Sequence, residues 1–291
     1  MSMRKALLEN SIRWIPSRSM SHSLGKLADR QLHPTLLRPF LNIYRNAWNV
    51  DLHEAAVPQG GFRSFNEFFT RPLRDGARPI DAASNTLISP ADGRIEAAGP
   101  ITQDLDLVIK GTRYTLPELM GDDDDAAQYA GGDFLVIYLS PREYHRVHAP
   151  VDGEISHLRH MQGTLYPVNK LGVNYVPKLF SRNERVAIFI DNAVWGPTAV
   201  IMVGAMGVGR ICLSFDDLQT NQSSAQPPVS MRRYADPFRP KVVRGDELGM
   251  FCLGSTVILA YPPQAQPLER SASLGDFMHM GERLVGHGEV A

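Results

Sequence analysis

The sequence predicts an α+β protein, with a mainly β core and amphipathic helices in its N-terminal region. From Leu87 onward, short apolar runs are bounded by Gly, Pro, Asn and Asp, which is the pattern of strands joined by turns. Within residues 1–50, apolar side chains instead recur at helix-like spacing. A chain of 291 residues with 43 % hydrophobic residues can bury a sizeable core, so general disorder is excluded.

The predicted N-terminal helices are strongly basic. Residues 1–50 hold eight Lys or Arg and two Asp or Glu, whereas the rest of the chain holds 22 basic and 29 acidic side chains. Pro16, Pro34 and Pro39 are expected to divide this segment into short helices. Basic amphipathic helices that carry Trp and Leu can lie in a membrane interface. The same pattern fits a helical cap packed on the rest of the chain, and the spacing alone leaves both interpretations open.

After residue 50, the pattern predicts one short helix that begins at Phe65 and ends before Pro72, and a single helical turn over 116–120. Strands are expected at 94–98, 107–109, 134–139, 154–160, 186–190, 199–203, 209–215 and 256–261. Residues 122–125 and 220–230 are predicted to be solvated loops, and the tail after Pro262 shows little pattern. The glycine-rich run 204–209 lacks the strand–turn–helix context of a dinucleotide site and is interpreted as a tight bend.

Composition excludes several classes of protein. The net charge of −1 argues against nucleic-acid binding through the whole surface. Cys212 and Cys252 are the two cysteines, so neither a disulfide framework nor a cysteine-based zinc site is expected. No run approaches the roughly 18–20 apolar residues that a spanning helix needs. We therefore expect a protein that neither crosses the membrane nor is exported.

Two local sequences carry side chains suited to proton transfer. In the segment SPADGR, Asp92 lies in a turn just before a predicted strand, where a turn-capping role is the alternative. In YLSPREYHRVHAP, His145 and His148 follow an apolar strand, and histidine is the side chain best suited to proton transfer near neutral pH. A structural histidine bonded to a turn is the alternative, and a metal pair lacks a third ligand.

A third sequence, MFCLGSTVIL, places Gly254 and Ser255 inside an otherwise continuous apolar strand. Glycine in a strand interior marks a bend or a close backbone approach, so a simple bulge is one interpretation. Because Gly254 lacks a Cβ, its carbonyl is open to attack by the Ser255 hydroxyl, which would begin an N-to-O acyl shift. The order Asp, His, Ser supplies an orienting carboxylate, a base and a nucleophile, although spacing does not show that they meet.

The sequence resembles the phosphatidylserine decarboxylase family, specifically its bacterial, membrane-associated type. Most of the chain from about Asp51 to Tyr261 is covered by the segments that carry this resemblance: FNEFFTRPLRDGARPID at 65–81, SPADG at 89–93, YLSPREYHRVHAP at 138–150, VPKLFSRNERV at 176–186 and MFCLGSTVI at 250–258.

The resemblance implies a proenzyme that cuts itself between Gly254 and Ser255, giving a β chain of 1–254 and an α chain of 255–291. These chains stay together as a heterodimer, and further dimerisation is left open. Ser255 becomes a pyruvoyl group, to which the amine of phosphatidylserine forms a Schiff base before CO₂ leaves and phosphatidylethanolamine is released. Asp92 is expected to orient His148, which takes the proton from Ser255. His145 is expected to serve decarboxylation, and Val168 lies in a segment near the substrate.

The resemblance also favours one interpretation of the basic helices. Residues 1–50 are then expected to dock on an anionic membrane, with residues 51–291 forming the decarboxylase domain at the cytoplasmic side of the cell membrane. Neither a metal nor a nucleic acid is expected as a partner. Two alternatives remain: a serine hydrolase that uses Asp92, His148 and Ser255, and a non-catalytic adaptor on lipid surfaces. Both predict an intact chain.

Overall fold

A computed structural model of the chain describes residues 18–206, 209–221, 227–252, 255–265 and 268–287. Its helices are α1 (Arg18–Asp29), α2 (Pro34–Trp48), α3 (Phe65–Phe69), α4 (Leu116–Met120), α5 (Asp123–Ala127), α6 (Lys170–Tyr175) and α7 (Leu179–Arg182). Only α1 and α2 exceed six residues. Strands make up most of the remaining regular structure, so the prediction of a mainly β α+β protein is confirmed.

The strands, numbered in chain order, are β1 (Thr86–Ile88), β2 (Gly93–Pro100), β3 (Asp106–Ile109), β4 (Thr112–Thr115), β5 (Asp133–Leu139), β6 (Arg146–His148), β7 (Gly153–Met161), β8 (Arg185–Asn192), β9 (Gly196–Gly204), β10 (Ile211–Leu213), β11 (Val229–Arg233), β12 (Lys241–Val242), β13 (Glu247–Phe251), β14 (Ser255–Tyr261), β15 (Leu268–Arg270), β16 (Phe277–Met278) and β17 (Arg283–His287). Each predicted strand overlaps one of them, because the short apolar runs are bounded by turn residues that mark where strands end.

A nine-stranded antiparallel sheet forms the centre of the molecule. Its order is β11-β7-β8-β9-β14-β5-β2-β16, and β12 pairs with the free end of β7. Two three-stranded sheets, β1-β17-β15 and β10-β13-β6, and the β3-β4 hairpin surround it. β14 therefore lies in the middle of the large sheet, with β5 on one side and β9 on the other.

Both faces of the large sheet are covered by apolar side chains. Along β14, Val257 and Leu259 point into one core, and Ile258 and Ala260 point into the other. All seven residues of this strand are buried. A strand buried on both faces reads as a continuous apolar run, which explains why this segment shows no alternation in the sequence.

The helices α2 and α3 pack against each other through a small apolar cluster. Its buried members are Leu37, Leu41, Val50, Phe62 and Phe68. Other large apolar side chains of α1 and α2 are exposed: Leu24, Leu27, Leu36, Phe40, Ile43 and Trp48. Among the described residues, no helix is long and apolar enough to pass through a bilayer.

The prediction that Pro39 divides the N-terminal segment is wrong. α2 continues from Pro34 to Trp48 with Pro39 inside it. Pro34 occupies the first turn, where the missing amide would have no helical partner, whereas Pro39 removes one internal hydrogen bond. Burial of Leu37 and Leu41 on either side holds the helix together across this gap. Pro16 lies outside the described residues.

Three further predictions need correction. Residues 122–125 do not form a loop: Asp122 caps α5, and Asp125 contacts His157 and Arg159, so these carboxylates have partners that only the fold brings near. The tail after Pro262 contributes β15, β16 and β17: β16 and β17 pair with the early strands β2 and β1, and β15 pairs with β17. Residues 229–230 of the second predicted loop belong to β11, while 222–226 lie outside the described residues.

Candidate active site

Ser255 is the first residue of β14, so it lies at the N-terminal end of this central strand of the nine-stranded sheet. It lies opposite Leu139 of β5 and Gly204 of β9. The side chain is fully buried, and its Oγ has no hydrogen-bond partner among the described residues. Strand alternation directs it to the face of Val257 and Leu259. Gly254, the other residue of the predicted cleavage site, lies outside the described residues, as does Leu253.

The strand that leads to Ser255 lies beside both predicted histidines. β13 pairs antiparallel with β6, which places Glu247 opposite His148 and Met250 opposite Arg146. The Phe251 amide donates to the His145 carbonyl at 2.9 Å. His145 and His148 therefore lie along the chain segment that ends just before the predicted cleavage site.

The turn that carries Asp92 meets the same place. The His148 amide donates to the Pro90 carbonyl at 2.8 Å, which joins the SPADG turn to the histidine strand. β2, which begins directly after Asp92, pairs with β5 and sets Arg94 opposite Tyr138. The structure thus brings together all three sequence segments that were predicted to carry chemistry.

Asp92 is buried and accepts hydrogen bonds from three directions. The Arg78 guanidinium donates to both carboxylate oxygens, with Nη2 2.6 Å from Oδ2, and the Met280 amide donates to Oδ1 at 2.8 Å. His279 Nδ1 lies 3.7 Å from Oδ2. Burial opposes ionisation of Asp92, but these donors outweigh it and lower the pKa to about 2. Asp92 is therefore a carboxylate at neutral pH.

His148 has partners on both ring nitrogens. Nδ1 donates to the Gly245 carbonyl at 2.7 Å, so Nε2 accepts from the Tyr144 hydroxyl at 3.0 Å. Burial lowers the pKa of His148, which favours the neutral ring. Among the described contacts, Asp92 does not hydrogen-bond to His148, because Arg78, His279 and Met280 surround the carboxylate and Tyr144 occupies Nε2.

His145 is fully buried in the loop between β5 and β6. Its Nδ1 donates to the Glu143 carbonyl at 2.8 Å, and its ring lies 4.1 Å from that of Phe69 in α3. Its Nε2 has no hydrogen-bond partner among the described residues. Burial lowers the pKa of His145 to about 3, so the ring is neutral and carries an unused lone pair on Nε2.

Two cavities flank the loop 140–145. One, of about 280 Å³, is lined by Asp92, Arg78, His279 and Tyr144 among others. The second, of about 730 Å³, has walls of Arg94, Glu96, Lys110, Tyr138, Ser140, Arg142, Glu143, Val168, Asn169 and Phe277. Arg142, Glu143 and Phe277 line both cavities. Val168, the predicted substrate contact, therefore lies in the wall of the larger cavity.

Comparison with known proteins agrees with this geometry. A family model described as phosphatidylserine decarboxylase matches residues 65–286. A phosphatidylserine decarboxylase proenzyme of Bordetella avium is 40 % identical over 288 residues, which are 98 % of this chain and 96 % of the relative. The proenzymes of Hahella chejuensis (38 % identity, 92 % and 90 % coverage) and Brevibacillus brevis (34 %, 97 % and 99 %) are similar over equally long stretches. The chain belongs to the phosphatidylserine decarboxylase family.

In this family member, three residues that contact Asp92 or His148 were not predicted from the sequence. Arg78 lies in the segment FNEFFTRPLRDGARPID, which carries the resemblance but was given no role. Tyr144 directly precedes His145 and could have been suspected from its position. His279 lies in the tail, where no pattern in the sequence marked it, since its contact with Asp92 spans most of the chain.

Proposed function

We propose that this chain decarboxylates phosphatidylserine to phosphatidylethanolamine after cutting itself between Gly254 and Ser255. The observation that carries the proposal is the placement of Ser255. Ser255 begins the central strand β14, near the contact between the Asp92 turn and the His145–His148 segment, and its buried hydroxyl has no partner among the described residues. Buried polar atoms normally have partners, so an unpartnered one is a candidate for chemistry.

In the proposed maturation step, the Ser255 hydroxyl attacks the Gly254 carbonyl while His148 takes its proton. The peptide C–N bond breaks, an ester forms, and elimination followed by hydrolysis releases ammonia and leaves the pyruvoyl group. The neutral ring of His148 can accept this proton on Nε2 once the Tyr144 hydroxyl, which donates to that nitrogen, moves away. Asp92, ionised and close to the histidine strand, favours the imidazolium that results.

The proposed pyruvoyl group supplies a carbonyl that accepts the electron pair left behind when the substrate loses CO₂. The chain's own contribution to this step is His145. Its Nε2 has no partner among the described residues, and the carboxylate of the incoming serine headgroup would favour a protonated ring, so that Nε2 can take a proton from the headgroup ammonium. The same nitrogen then returns a proton to the carbon that loses CO₂, which uses one side chain as base and then as acid.

The larger cavity is proposed to bind the lipid headgroup. It opens beside Tyr138, whose cross-strand partner Thr256 follows Ser255. Its wall is mainly polar, with Val168 and Phe277 as the apolar part. Lys110 pairs with Glu96 and Arg142 pairs with Glu143, so the wall offers both a cation for a phosphate and a carboxylate for an ammonium group.

We further propose that residues 1–50 dock on the cytoplasmic face of the cell membrane and that residues 51–291 form the decarboxylase domain. The exposed apolar side chains of α1 and α2 support the docking role, since large exposed apolar patches mark interaction sites. Lys26, Arg38 and Arg45 are exposed on the same helices, and each basic residue near an anionic leaflet contributes about 1 kcal/mol of attraction. The cut α and β chains are proposed to remain together as a heterodimer.

The proposal is tested by two measurements on purified protein. Intact-mass spectrometry should find two chains that meet at Gly254–Ser255, and vesicles of carboxyl-labelled phosphatidylserine should release labelled CO₂. A single uncut chain that reacts with serine-directed phosphonates would instead indicate a serine hydrolase. An uncut chain that binds vesicles and releases no CO₂ would indicate a lipid-surface adaptor.

A further inference from the structure

We propose that Asn183 is a positioning residue that holds both the β9 end beside Ser255 and the cavity wall that carries Val168. The inference rests on the proposed function, because it concerns self-cleavage and substrate binding at that site. Asn183 is the residue between α7 and Glu184, and it is fully buried.

The Asn183 side chain is saturated with hydrogen bonds. Its Oδ1 accepts from the Tyr166 amide at 2.9 Å and from the Thr164 hydroxyl at 3.3 Å. Its Nδ2 donates to the Tyr166 carbonyl at 2.8 Å and to the Gly204 carbonyl at 2.9 Å. One carboxamide therefore joins the backbone at Tyr166 to the backbone at Gly204.

The bond to Gly204 replaces a missing strand hydrogen bond. The Gly204 amide donates to the Glu184 carbonyl at 2.9 Å, as expected for a continuing antiparallel pair. The Glu184 amide, however, donates to the Thr164 carbonyl at 2.8 Å, so it does not form the β8–β9 hydrogen bond to the Gly204 carbonyl. Asn183 Nδ2 supplies the donor that the Gly204 carbonyl would otherwise lack.

Gly204 is the cross-strand neighbour of Ser255. In a strand, the amide and carbonyl of one residue point to the same side, and both groups of Gly204 point toward the Asn183–Glu184 segment. Gly204 and Ser255 consequently face each other as a pair without mutual hydrogen bonds. The position of Gly204 against Ser255 thus depends on what holds Gly204 from its other side, and Asn183 is one of those contacts.

The second link runs to the substrate cavity. Asn183 binds both backbone groups of Tyr166, two residues before Val168 in the cavity wall. A shift of Asn183 would move the Ser255 neighbour and this wall together. Loss of its hydrogen bonds is therefore expected to slow self-cleavage and to weaken substrate binding.

Asn192 provides a matched control at the opposite end of the same strand, β8. Its Nδ2 donates to the Asp152 carbonyl at 2.6 Å, and its Oδ1 accepts from the amides of Val194 and Trp195 at 2.8 and 2.7 Å. Asn192 therefore fixes the β8–β9 turn through three backbone bonds, as Asn183 fixes the other end, but far along both strands from Ser255.

The test compares Asn183→Ala, Asn183→Asp and Asn192→Ala with the wild-type protein. Asn183→Asp keeps the size and the acceptor but loses the donor to the Gly204 and Tyr166 carbonyls, so it remains informative if Asn183→Ala does not fold. Self-cleavage is followed by intact mass during expression at low temperature, the melting temperature is recorded, and the KM for phosphatidylserine is measured on the cut fraction. Both Asn183 variants should cut at least 10-fold more slowly and show a severalfold higher KM.

Asn192→Ala should lower the melting temperature while cleavage rate and KM stay at wild-type values. The inference is overturned if Asn183→Asp matches Asn192→Ala in cleavage rate and KM at a similar melting temperature, because Asn183 is then structural only. A wild-type chain that neither cuts itself nor releases CO₂ overturns the proposed function instead. Measuring the wild-type protein in the same experiment therefore distinguishes failure of the inference about Asn183 from failure of the proposed function.

Discussion

Two groups of polar side chains, buried except for the half-exposed His279, lie near the N-terminal end of β14, and they differ in how fully their hydrogen bonds are satisfied. In the aspartate cluster (Asp92, Arg78 and His279), the carboxylate receives donors from two side chains and from the Met280 amide. In the reactive pair (His145 and Ser255), Nε2 and Oγ have no partner among the described residues. Satisfied groups stabilise the fold, whereas unpartnered ones lower stability and stay available for chemistry.

The largest effect is expected from removing the Ser255 hydroxyl. Ser255→Ala should leave the chain at full length and abolish decarboxylation, because the nucleophile and the source of the pyruvoyl group are both lost. Mass spectrometry and labelled CO₂ release measure the two outcomes. Thr256→Val is the matched control, since Thr256 Oγ1 is also buried and unpartnered but faces the other core. It should cut itself normally; two fragments from Ser255→Ala would sink the assignment.

In the aspartate cluster, Arg78→Gln should destabilise the fold by about 3 kcal/mol, because it leaves the Asp92 charge buried with fewer partners. The side chains of Arg78 and Asp92 are only 8 % and 3 % exposed. Arg113→Gln is the control: Arg113 pairs with Asp106 but is 73 % exposed, so its loss should destabilise the fold much less than the loss of Arg78. Urea unfolding of both variants in the uncut Ser255→Ala background measures the difference, and equal losses would contradict the contrast.

Within the reactive pair, His145→Ala should separate maturation from turnover. The chain should still cut itself, whereas CO₂ release should fall about 100-fold or more, the usual size of a general acid–base contribution. His148→Ala should instead slow or stop the cut. If His145→Ala blocks cleavage, or leaves turnover intact, the division of roles between the two histidines is wrong.

The pH dependence of stability should also distinguish the reactive pair from the aspartate cluster. The pKa of His145 is lowered by burial to about 3 in the folded chain and is about 6.5 when unfolded, so the unfolded state binds the extra proton between these values. The free energy of unfolding should therefore fall as pH falls from 6.5 toward 3, by at most about 1.4 kcal/mol per pH unit from this group. His145→Phe in the Ser255→Ala background should flatten that slope in urea titrations.

His279 supplies the control of opposite sign. A hydrogen bond to Asp92 raises the pKa of His279 above its ordinary value of 6.5. Its contribution is present at low pH and is lost as pH rises through the raised pKa. His279→Phe should consequently lower the free energy of unfolding by a constant amount below about pH 6.5. Above that pH the difference from the wild-type side chain should shrink as His279 loses its proton. A flattened slope between pH 4 and 6 in that variant would remove the distinction between the two groups.

The sequence predicted local features of the fold better than long-range ones. The helix over 116–120 was predicted to the residue, because Thr115 and Glu118 form a capping box and Gly121 ends the helix in a left-handed conformation. The strands of the tail were missed, since β16 and β17 are short and their partners β2 and β1 lie almost two hundred residues earlier. No local pattern records such pairing.

The same division applies to the site. Asp92, His145, His148 and Ser255 were found because their segments carry the family resemblance, and their roles remain predictions. The contacts that surround them were not predicted. The Met280 amide donates to Asp92, 188 positions away in the sequence, and the Gly245 carbonyl accepts from His148 Nδ1, 97 positions away. Asn183 lies within one of the segments that carry the family resemblance, but only the fold shows its hydrogen bonds to Tyr166 and Gly204.

The central position of β14 bears on the order of events in the life of the molecule. An uncut chain can refold from denaturant as a single molecule, at a rate independent of its concentration. Once cut before Ser255, the protein has the middle strand of its large sheet on a separate polypeptide, flanked by β5 and β9. Refolding then requires two chains to find each other, while the remaining strands expose unpaired edges that favour aggregation. The proposed cut is therefore expected to follow assembly of the sheet, with the two chains then held together by the pairing of β14 with β5 and β9.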